Sequence, residues 1–333
     1  MRAERRGVTA CVSMGVIGLV LAFVGLSYGS DWSSPATVLQ ALVGRGDEWF
    51  VITHWRMPRV VAALVFGAAL GLAGAIFQNL TNNPLGSPDV IGLDAGAYTG
   101  ALVAITVLSG TSGQLAVSSV VGGLATAALI YALSLGSGRG GVTLIVVGIA
   151  FNAMLTAVNS WIILRADLDV AIAATGWSAG SINGVDWDEL VLPAAIIAVM
   201  VLALMMVSSP MHQSTLGSDL AVTSGVQLNR LRLLLVGVGV ALTATVTAVA
   251  GPIVFIALAA PQIGRRLAGS AGVALIPAAF TGAVLLLAAD LIAQLLLAPV
   301  SLPVGVVTTA IGGTYLLWLL VKEVKSARKG LGQ

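Results

Sequence analysis

Residues 54–100 read HWRMPRVVAALVFGAALGLAGAIFQNLTNNPLGSPDVIGLDAGAYTG, and this stretch decides the fold. No charged residue occurs between Val60 and Pro88, which is more than the roughly 20 apolar residues that a helix needs to cross a bilayer. Asn82, Asn83 and Pro84 then predict the end of that helix, because proline cannot continue it. The stretch therefore predicts a membrane-spanning helix.

Glycines recur along this predicted helix at spacings of four and three. Gly67, Gly71 and Gly74 share one helical face, and small residues there let a neighbouring helix approach closely inside a membrane. We therefore expect another helix to cross at this face.

The composition extends this interpretation to the whole chain. Charged residues make up 9% of the sequence and hydrophobic residues 58%, whereas soluble domains carry roughly 25% charged residues. The sequence predicts an all-α polytopic membrane protein with one transmembrane domain, residues 1–333. Trp32, Trp49 and Trp55 lie in or beside one polar loop, as is typical of residues anchored at a membrane interface.

Apolar runs separated by polar breaks predict ten spans. The first run, after MRAERR, could also be read as a signal peptide, but its length and the lack of a small-x-small cleavage site favour a span. The predicted spans are 8–28, 60–81, 91–109, 114–135, 142–163, 190–208, 233–250, 253–268, 273–297 and 303–321.

The basic residues indicate the orientation. With both termini in the cytoplasm, only Arg45, Arg56, Arg59 and Arg165 of the 16 basic residues fall outside. This asymmetry follows the positive-inside rule, and we expect a multi-pass protein of the bacterial cytoplasmic (inner) membrane.

Two of the exceptions, Arg56 and Arg59, flank Pro58 at the outer end of the second span. They could extend towards lipid head groups, as long basic side chains often do. They could equally form a dock for an acidic partner outside the membrane. The residues alone leave both interpretations open.

A weak internal repeat connects two helix ends. Ala73-Gly74-x-Ile76 followed after seven residues by Pro84 matches Ala250-Gly251-x-Ile253 followed after seven residues by Pro261. The predicted topology makes this repeat inverted, and inverted repeats in transporters place the pathway near their interface. We therefore expect pathway or helix-packing roles for Gly67, Gly71, Gly74, Gln78, Asn83, Pro84, Gly251 and Pro261.

Two further segments have candidate roles. The cytoplasmic loop 209–232 predicts a short helix, capped by Ser214 or Ser218 and stopped at Gly225, with Leu216 and Leu220 on one face. Such a helix suits insertion into a groove of a partner, although a structured linker explains it as well. Outside the membrane, 170–181 predicts a short helix resting on the bilayer.

Asp290 lies inside the ninth apolar run, in LLLAADLIAQLLLAP, with Gln294 one turn later. A carboxyl group in lipid is costly and marks a functional candidate. A neutral packing contact, a buried pair with an arginine and a place on a proton path all remain open, the last of which would make the chain a proton-coupled secondary transporter.

The sequence lacks residues that several kinds of chemistry require. The chain contains no GxxxxGK[ST] phosphate loop, so we predict no ATPase of that type, and we predict no enzyme. Its one cysteine, Cys11, cannot form an internal disulfide, and His54 and His212 fall on opposite sides of the predicted membrane. We expect no metal site.

Four stretches resemble the FecCD-type permeases of bacterial ABC importers for ferric siderophores, haem and vitamin B12. They are RMPRVVAALVFGAALGLAGAIFQNLTNNPLGSPDVIGLDAGA, LGSDLAVTSGV, AGPIVFIALAAPQIGRRLAG and LPVGVVTTAIGGTYLLWLL, and the resemblance extends over nearly the whole chain. The APQIGRR and ADLIAQ segments are most similar to the ferric-enterobactin branch, whose members pair with a related, non-identical permease.

The resemblance implies a type II ABC importer permease fold with ten helices, a second permease subunit, two copies of an ABC ATPase and an extracytoplasmic siderophore-binding protein. It implies that ferric siderophore is the substrate, and that ATP and Mg²⁺ bind to the ATPase, with no cofactor on this chain. The chain has no basic run interleaved with aromatic residues, and we expect lipid but no nucleic acid as a further partner.

The same resemblance assigns residue roles. It places Arg56 and Arg59 in binding-protein docking, and the segment Leu216, Gly217, Ser218, Asp219, Leu220 through Gly225 in ATPase coupling. Gln262, Gln294 and Ser301 depart from the histidine, arginine and glutamate that many members carry. If that arginine helps docking elsewhere, a non-identical partner supplies it here, which favours a heterodimer.

Overall fold

The computed structural model describes residues 2–29, 31–108, 110–134, 140–215, 217–270 and 272–330. Within these ranges the chain is helical and contains no β-strand, only an isolated bridge between Tyr28 and Trp32. The helices are α1 (Arg2–Ser27), α2 (Pro35–Leu42), α3 (Trp49–Val51), α4 (Met57–Thr81), α5 (Leu93–Val107), α6 (Ser112–Ser134), α7 (Gly140–Arg165), α8 (Leu168–Ser178), α9 (Trp187–Ser214), α10 (Ser218–Thr223), α11 (Leu228–Ala250), α12 (Ile256–Ala268), α13 (Leu275–Leu295) and α14 (Val304–Gly330), with a π-helical turn, Ile52–Arg56, joining α3 to α4.

Each of the ten predicted spans coincides with one of these helices, although several ends differ. Among the described residues, seven helices are long and apolar enough to cross a membrane, and Leu93–Val107 and Val304–Leu317 are shorter apolar helices. α9 begins earlier than predicted because the Asp186 carboxylate accepts a hydrogen bond from the backbone N–H of Glu189.

The prediction for the eighth span was wrong by three residues at its start. The chain leaves α11 at Gly251, whose φ of 68° favours glycine, and α12 begins only at Ile256. With 13 residues, α12 is about 20 Å long, shorter than the roughly 30 Å hydrocarbon core. Residues 251–255 before α12 and residues 82–92 before α5 are not helical.

α4 is the most deeply buried of the long helices and packs against α11, α12 and α13. The predicted glycine face makes these contacts. A β-carbon at Gly67 would overlap the carbonyl oxygen of Gly282 on α13, and one at Gly71 would overlap that of Ala278. Gly74 lies against the carbonyl of Ala257 on α12, which confirms close helix approach along this face.

The short helix predicted for the loop 170–181 is present as α8, and its end is tied to the two neighbouring helices. Ser181 donates its backbone N–H to Ala250 at the end of α11, at 2.7 Å, and Gly305 near the start of α14 donates to Gly180 at 3.0 Å. Following the predicted topology, we call this end of the molecule the outer end and the end with α10 the inner end.

Candidate functional site

An outer cavity of about 320 Å³ lies where α4 begins. Arg56, Arg59, Asn183 and Gln294 are among the polar residues that line it. The π-helical turn ends at Arg56 and Pro58 occupies the first turn of α4, so both arginines project from the same helix entrance.

Arg59 forms a buried ion pair with Asp290 on α13. Its Nε and Nη2 donate to the two carboxylate oxygens at 3.0 and 2.9 Å, a bidentate arrangement that is among the strongest available to a carboxylate. The Asp290 side chain is 1% exposed and that of Arg59 14%. Of the three interpretations of Asp290, the buried pair with an arginine is therefore the one that the structure contains.

Two amides complete the hydrogen bonds of this pair. Arg59 donates its Nη1 to the Asn183 side-chain oxygen at 2.8 Å, and Gln294 donates its amide to Asp290 Oδ2 at 2.8 Å. All three guanidinium nitrogens of Arg59 are thus engaged within the chain. Further hydrogen bonds of this kind are what make a buried ion pair tolerable.

Arg56 has a different environment. Its Nη1 donates to the Leu26 carbonyl at 3.0 Å and to the Ser33 hydroxyl at 2.8 Å, and Ser33 in turn donates to the Glu48 carboxylate. Within the part of the chain that the structure describes, Arg56 is in no direct ion pair. The positive charge that faces the outer cavity without a carboxylate partner is therefore that of Arg56.

Towards the inner end, the two halves of the predicted repeat meet. Gln78 on α4 donates its side-chain amide to the Leu258 carbonyl of α12 at 3.0 Å, and Gln262 on α12 donates to the Pro84 carbonyl at 2.7 Å. Asp89 accepts a hydrogen bond from the Phe255 N–H at 3.0 Å. Residues 78–89 and α12 are thus joined by three hydrogen bonds between a side chain and the backbone.

An inner cavity of about 220 Å³ borders this crossing. The structure brings four of the predicted residues together in its lining, namely Gln78, Asn83, Pro84 and Pro261. Gly67, Gly71 and Gly74 make helix contacts instead, and Gly251 lies against the Trp177 carbonyl at the outer end.

A second inner cavity of about 200 Å³ continues from the first towards the predicted coupling loop. Asn79, Asn82 and Thr215 line both cavities, and Gly217 and Arg232 line the second alone. The C-terminal end of α4 therefore lies beside the residues that lead into α10.

The predicted short helix of this loop is present as α10, but its predicted serine caps were wrong. Ser218 is the first helical residue, the cap position belongs to Gly217, and the hydroxyl of Ser214 donates to Met211 within α9. Gly225, with a φ of 85°, follows the end of α10. Leu216 lies outside the described residues, and the Leu220 side chain is 60% exposed.

Sequence reasoning missed three residues whose hydrogen bonds position the side chains of the outer cavity. Asn183, Ser33 and Glu48 orient the arginines, yet nothing in their sequence neighbourhood distinguishes them from other loop residues. Asp89 was also missed, although a carboxyl group next to a helix break within an apolar region is a signal that could have indicated it.

The outer and inner cavities are lined by charged side chains and side-chain amides. Among the described residues, these sites contain no arrangement for covalent chemistry. No group of three or more His, Cys, Asp or Glu residues that could hold a metal ion occurs there. Apolar helices long enough to cross a membrane, bordered by polar cavities at both ends, are typical of an integral membrane transport subunit.

The chain belongs to the FecCD transport family, whose model matches residues 17–322. It is 46% identical over 322 residues to the ferric enterobactin transport system permease protein FepG of Escherichia coli K12, across 96% of this chain and 98% of FepG. It is 35% identical over 341 residues to YfhA of Bacillus subtilis, a probable siderophore transport system permease protein, across 97% and 99% of the two chains.

The fold is also that of a solved transporter. A chain from an inward-facing conformation of a proposed metal-chelate type ABC transporter superposes with a TM-score of 0.83 and 26% identity, across 94% of this chain and 98% of that one. Multi-pass membrane permeases of this kind work in a transport complex with a partner permease and an ATPase.

The ion pair between Arg59 and Asp290 leads to a stability prediction. Removing one partner leaves the other charge buried, so we expect Asp290→Asn and Arg59→Met each to cost about 3–5 kcal/mol. The double variant Arg59→Met/Asp290→Leu should recover most of that loss. The thermal unfolding midpoint of the detergent-solubilised protein measures each effect, with Arg45→Gln on the exposed outer loop as the control. Losses that simply add in the double variant would contradict the pairing.

Proposed function

We propose that this chain is the permease subunit through which a ferric siderophore crosses the bacterial cytoplasmic membrane, in an ABC importer driven by a separate ATPase. The observation that carries this proposal is the 46% identity to FepG over nearly the whole chain, together with the metal-chelate transporter fold. In this arrangement ATP and Mg²⁺ bind to the ATPase, and the permease supplies the pathway. Both termini lie in the cytoplasm, as the distribution of basic residues predicts.

Uptake by the assembled transporter tests this proposal. Proteoliposomes that contain the chain with its co-purified partners, the binding protein and radioactive ferric enterobactin outside, and ATP inside should accumulate iron. Accumulation should continue when a protonophore is added, and should stop when a non-hydrolysable ATP analogue replaces ATP.

The opposite pattern would support the other class of transporter. Loss of uptake with the protonophore, at constant ATP, would assign transport to a proton path through Asp290. Ferric citrate and vitamin B12, the substrates named for other relatives, serve as competing probes of the substrate class.

The outer cavity is the proposed dock for the binding protein. Arg56 presents a positive charge with no direct carboxylate partner among the described residues, so an acidic side chain from the binding protein can pair with it. Arg59 lines the same cavity, but its three nitrogens already contact Asp290 and Asn183. A docking carboxylate would reach Arg59 only in competition with Asp290.

This difference favours a non-identical second permease. Gln294 stands where many family members carry an arginine, and here it donates its amide to Asp290. Of the two arginines that line the outer cavity, only Arg56 is without a direct carboxylate partner among the described residues. A homologue with a fuller set of free arginines would complete the dock, in a complex with two copies of the ATPase.

Charge reversal at Arg56 tests the dock. Arg56→Glu should weaken association of the binding protein, and more strongly at low salt than at high salt, because salt screens exposed charges. Arg45→Glu, on an exposed outer loop, is the matched charge reversal and should have little effect. Surface plasmon resonance over a salt series measures both variants, and an unchanged affinity of Arg56→Glu at low salt would remove Arg56 from the dock.

The segment from Gly217 to Gly225 is the proposed contact with the ATPase. Leu220 and Val222 on α10 are 60% and 57% exposed, which suits a short helix seated in a partner's groove. Thr215 lines both inner cavities with Asn79 and Asn82, and Gly217 lines the second, so the residues that lead into α10 lie beside the end of α4.

Gly217 provides the test of coupling. Its φ of 111° is unfavourable for any residue with a side chain, by about 1–3 kcal/mol, although the space around it is open. We expect Gly217→Val to fold but to lower the uptake per ATP hydrolysed several-fold. Gly44→Val is the control, since Gly44 also has a positive φ and open surroundings but lies in an outer loop. Normal uptake per ATP in Gly217→Val would count against this segment as the coupling element.

A further inference from the structure

The contact between α4 and α13 changes in character along its length. Near the middle of the two helices it is backbone against backbone, because a β-carbon at Gly67 would overlap the carbonyl oxygen of Gly282. Nearer the outer end, the helices are joined by the bidentate ion pair between Arg59 and Asp290. The outer part of this contact therefore depends on charge rather than on close backbone packing.

Asp290 depends on Arg59 for its charge balance. Among the described residues, the only other side chain that donates to its carboxylate is that of Gln294, whose neutral amide lies 2.8 Å from Oδ2. The Asp290 side chain is 1% exposed, so water has little access to replace a missing donor. Because a buried carboxylate without a cationic partner is strongly unfavourable, Arg59 is held towards α13.

Arg59 also faces the outer cavity. Arg56, Arg59, Asn183 and Gln294 line this cavity together. Asp290 does not belong to the lining, although its ion-pair partner does. A carboxylate that entered the cavity would therefore meet the same guanidinium group that Asp290 binds from within the protein.

A second carboxylate cannot share Arg59 on equal terms. A guanidinium group binds a carboxylate best through two parallel hydrogen bonds, and Asp290 already occupies the edge formed by Nε and Nη2. On the other edge, Nη1 is bonded to the Asn183 side chain. A docking carboxylate would gain a bidentate contact only by displacing one of these partners. If it displaced Asn183, it would still meet a charge that Asp290 balances.

We propose that Asp290 withholds Arg59 from the docking partner, so that the side chain at position 294 decides whether the outer cavity presents one available arginine or two. With Gln294, Asp290 has no second cation among the described residues and keeps Arg59. With a cation at position 294, Asp290 would be balanced by that cation, and Arg59 could bind an acidic side chain in the cavity. That this acidic side chain belongs to the binding protein rests on the proposed function, whereas the competition for Arg59 does not.

This competition also links docking to the contact between α4 and α13. A partner that draws Arg59 into the cavity weakens the charged part of that contact. Because such coupling is reciprocal, a conformation of the permease that separates Arg59 from Asp290 would bind an acidic partner more tightly. Docking therefore favours conformations in which the outer ends of these two helices are less tightly joined.

The geometry at position 294 permits a variant that frees Arg59 without leaving Asp290 unpaired. The Nε of an arginine is as many bonds from the backbone as the amide nitrogen of Gln294, which already donates to Asp290. Position 294 also lies four residues after Asp290 on α13, a spacing that brings opposite charges together on a helix. Gln294→Arg therefore offers Asp290 a second cation.

The affinity of the binding protein tests the proposal. In the assembled transporter, Gln294→Arg should bind the purified binding protein, loaded with ferric enterobactin, several-fold more tightly at low salt, because Arg59 becomes available. Arg59→Met/Gln294→Arg, in which the introduced arginine still pairs with Asp290, should show no gain over the wild type. Gln40→Arg, which adds the same charge at an exposed outer residue, is the control and should have little effect.

Surface plasmon resonance measures all of these variants beside Arg56→Glu. If Arg56→Glu weakens docking but Gln294→Arg leaves it unchanged, the proposal is overturned. It is also overturned if the gain persists in Arg59→Met/Gln294→Arg, because the introduced arginine would then dock by itself.

Chemical modification of Arg59 tests the competition without any partner. The arginine reagent phenylglyoxal, followed by mass spectrometry of peptides, should modify Arg59 several-fold faster in Gln294→Arg than in the wild type, with Arg56 as the internal reference. Equal, slow modification of Arg59 in both proteins would overturn the proposal. If modification of Arg59 rises but neither Gln294→Arg nor Arg56→Glu changes the affinity, the proposed dock fails and the competition between the carboxylates stands.

Discussion

Inside a membrane, backbone groups that leave a helix must find partners within the protein, because lipid offers none. The chain leaves the helical conformation at residues 82–92, between α4 and α5, and at residues 251–255, between α11 and α12, and side chains beside these two connections supply some of the partners. Gln78 and Gln262 each donate an amide hydrogen bond to a carbonyl of the other segment, and Asp89 accepts from the Phe255 N–H at the start of α12. These hydrogen bonds join the two segments next to the first inner cavity, which Gln78 and Pro84 also line.

Gly74 and Pro261, which the repeat singled out separately, belong to the same contact. Pro261 has no N–H, so the carbonyl of Ala257 four residues earlier loses its usual helical donor. That carbonyl lies against Gly74, where any side chain would overlap it. The glycine on α4 and the proline in α12 are therefore complementary.

The spacing of apolar residues and glycines predicted the helices and the glycine face of α4, because both depend on the local sequence pattern. It could not identify the partners of Gly67 and Gly74, which lie on α13 and α12 more than 180 residues away. Asp290 was recognised as exceptional, but its pairing with Arg59 depends on how two distant helices pack.

The way α12 is held constrains how the permease can change conformation. Asp89 contacts its N-terminal end, and Arg6 donates hydrogen bonds to the carbonyls of Leu267 and Arg266 at its C-terminal end, at 3.2 and 3.3 Å. The positive charge of Arg6 at the C-terminal end also complements the helix dipole. Because α12 is short, is held at both ends and packs against Gly74, we expect it to move as a rigid unit rather than to bend. A movement of the inner end would therefore displace α12 and the C-terminal end of α4 together. The outer half would be displaced through the loops that follow α8 and α11.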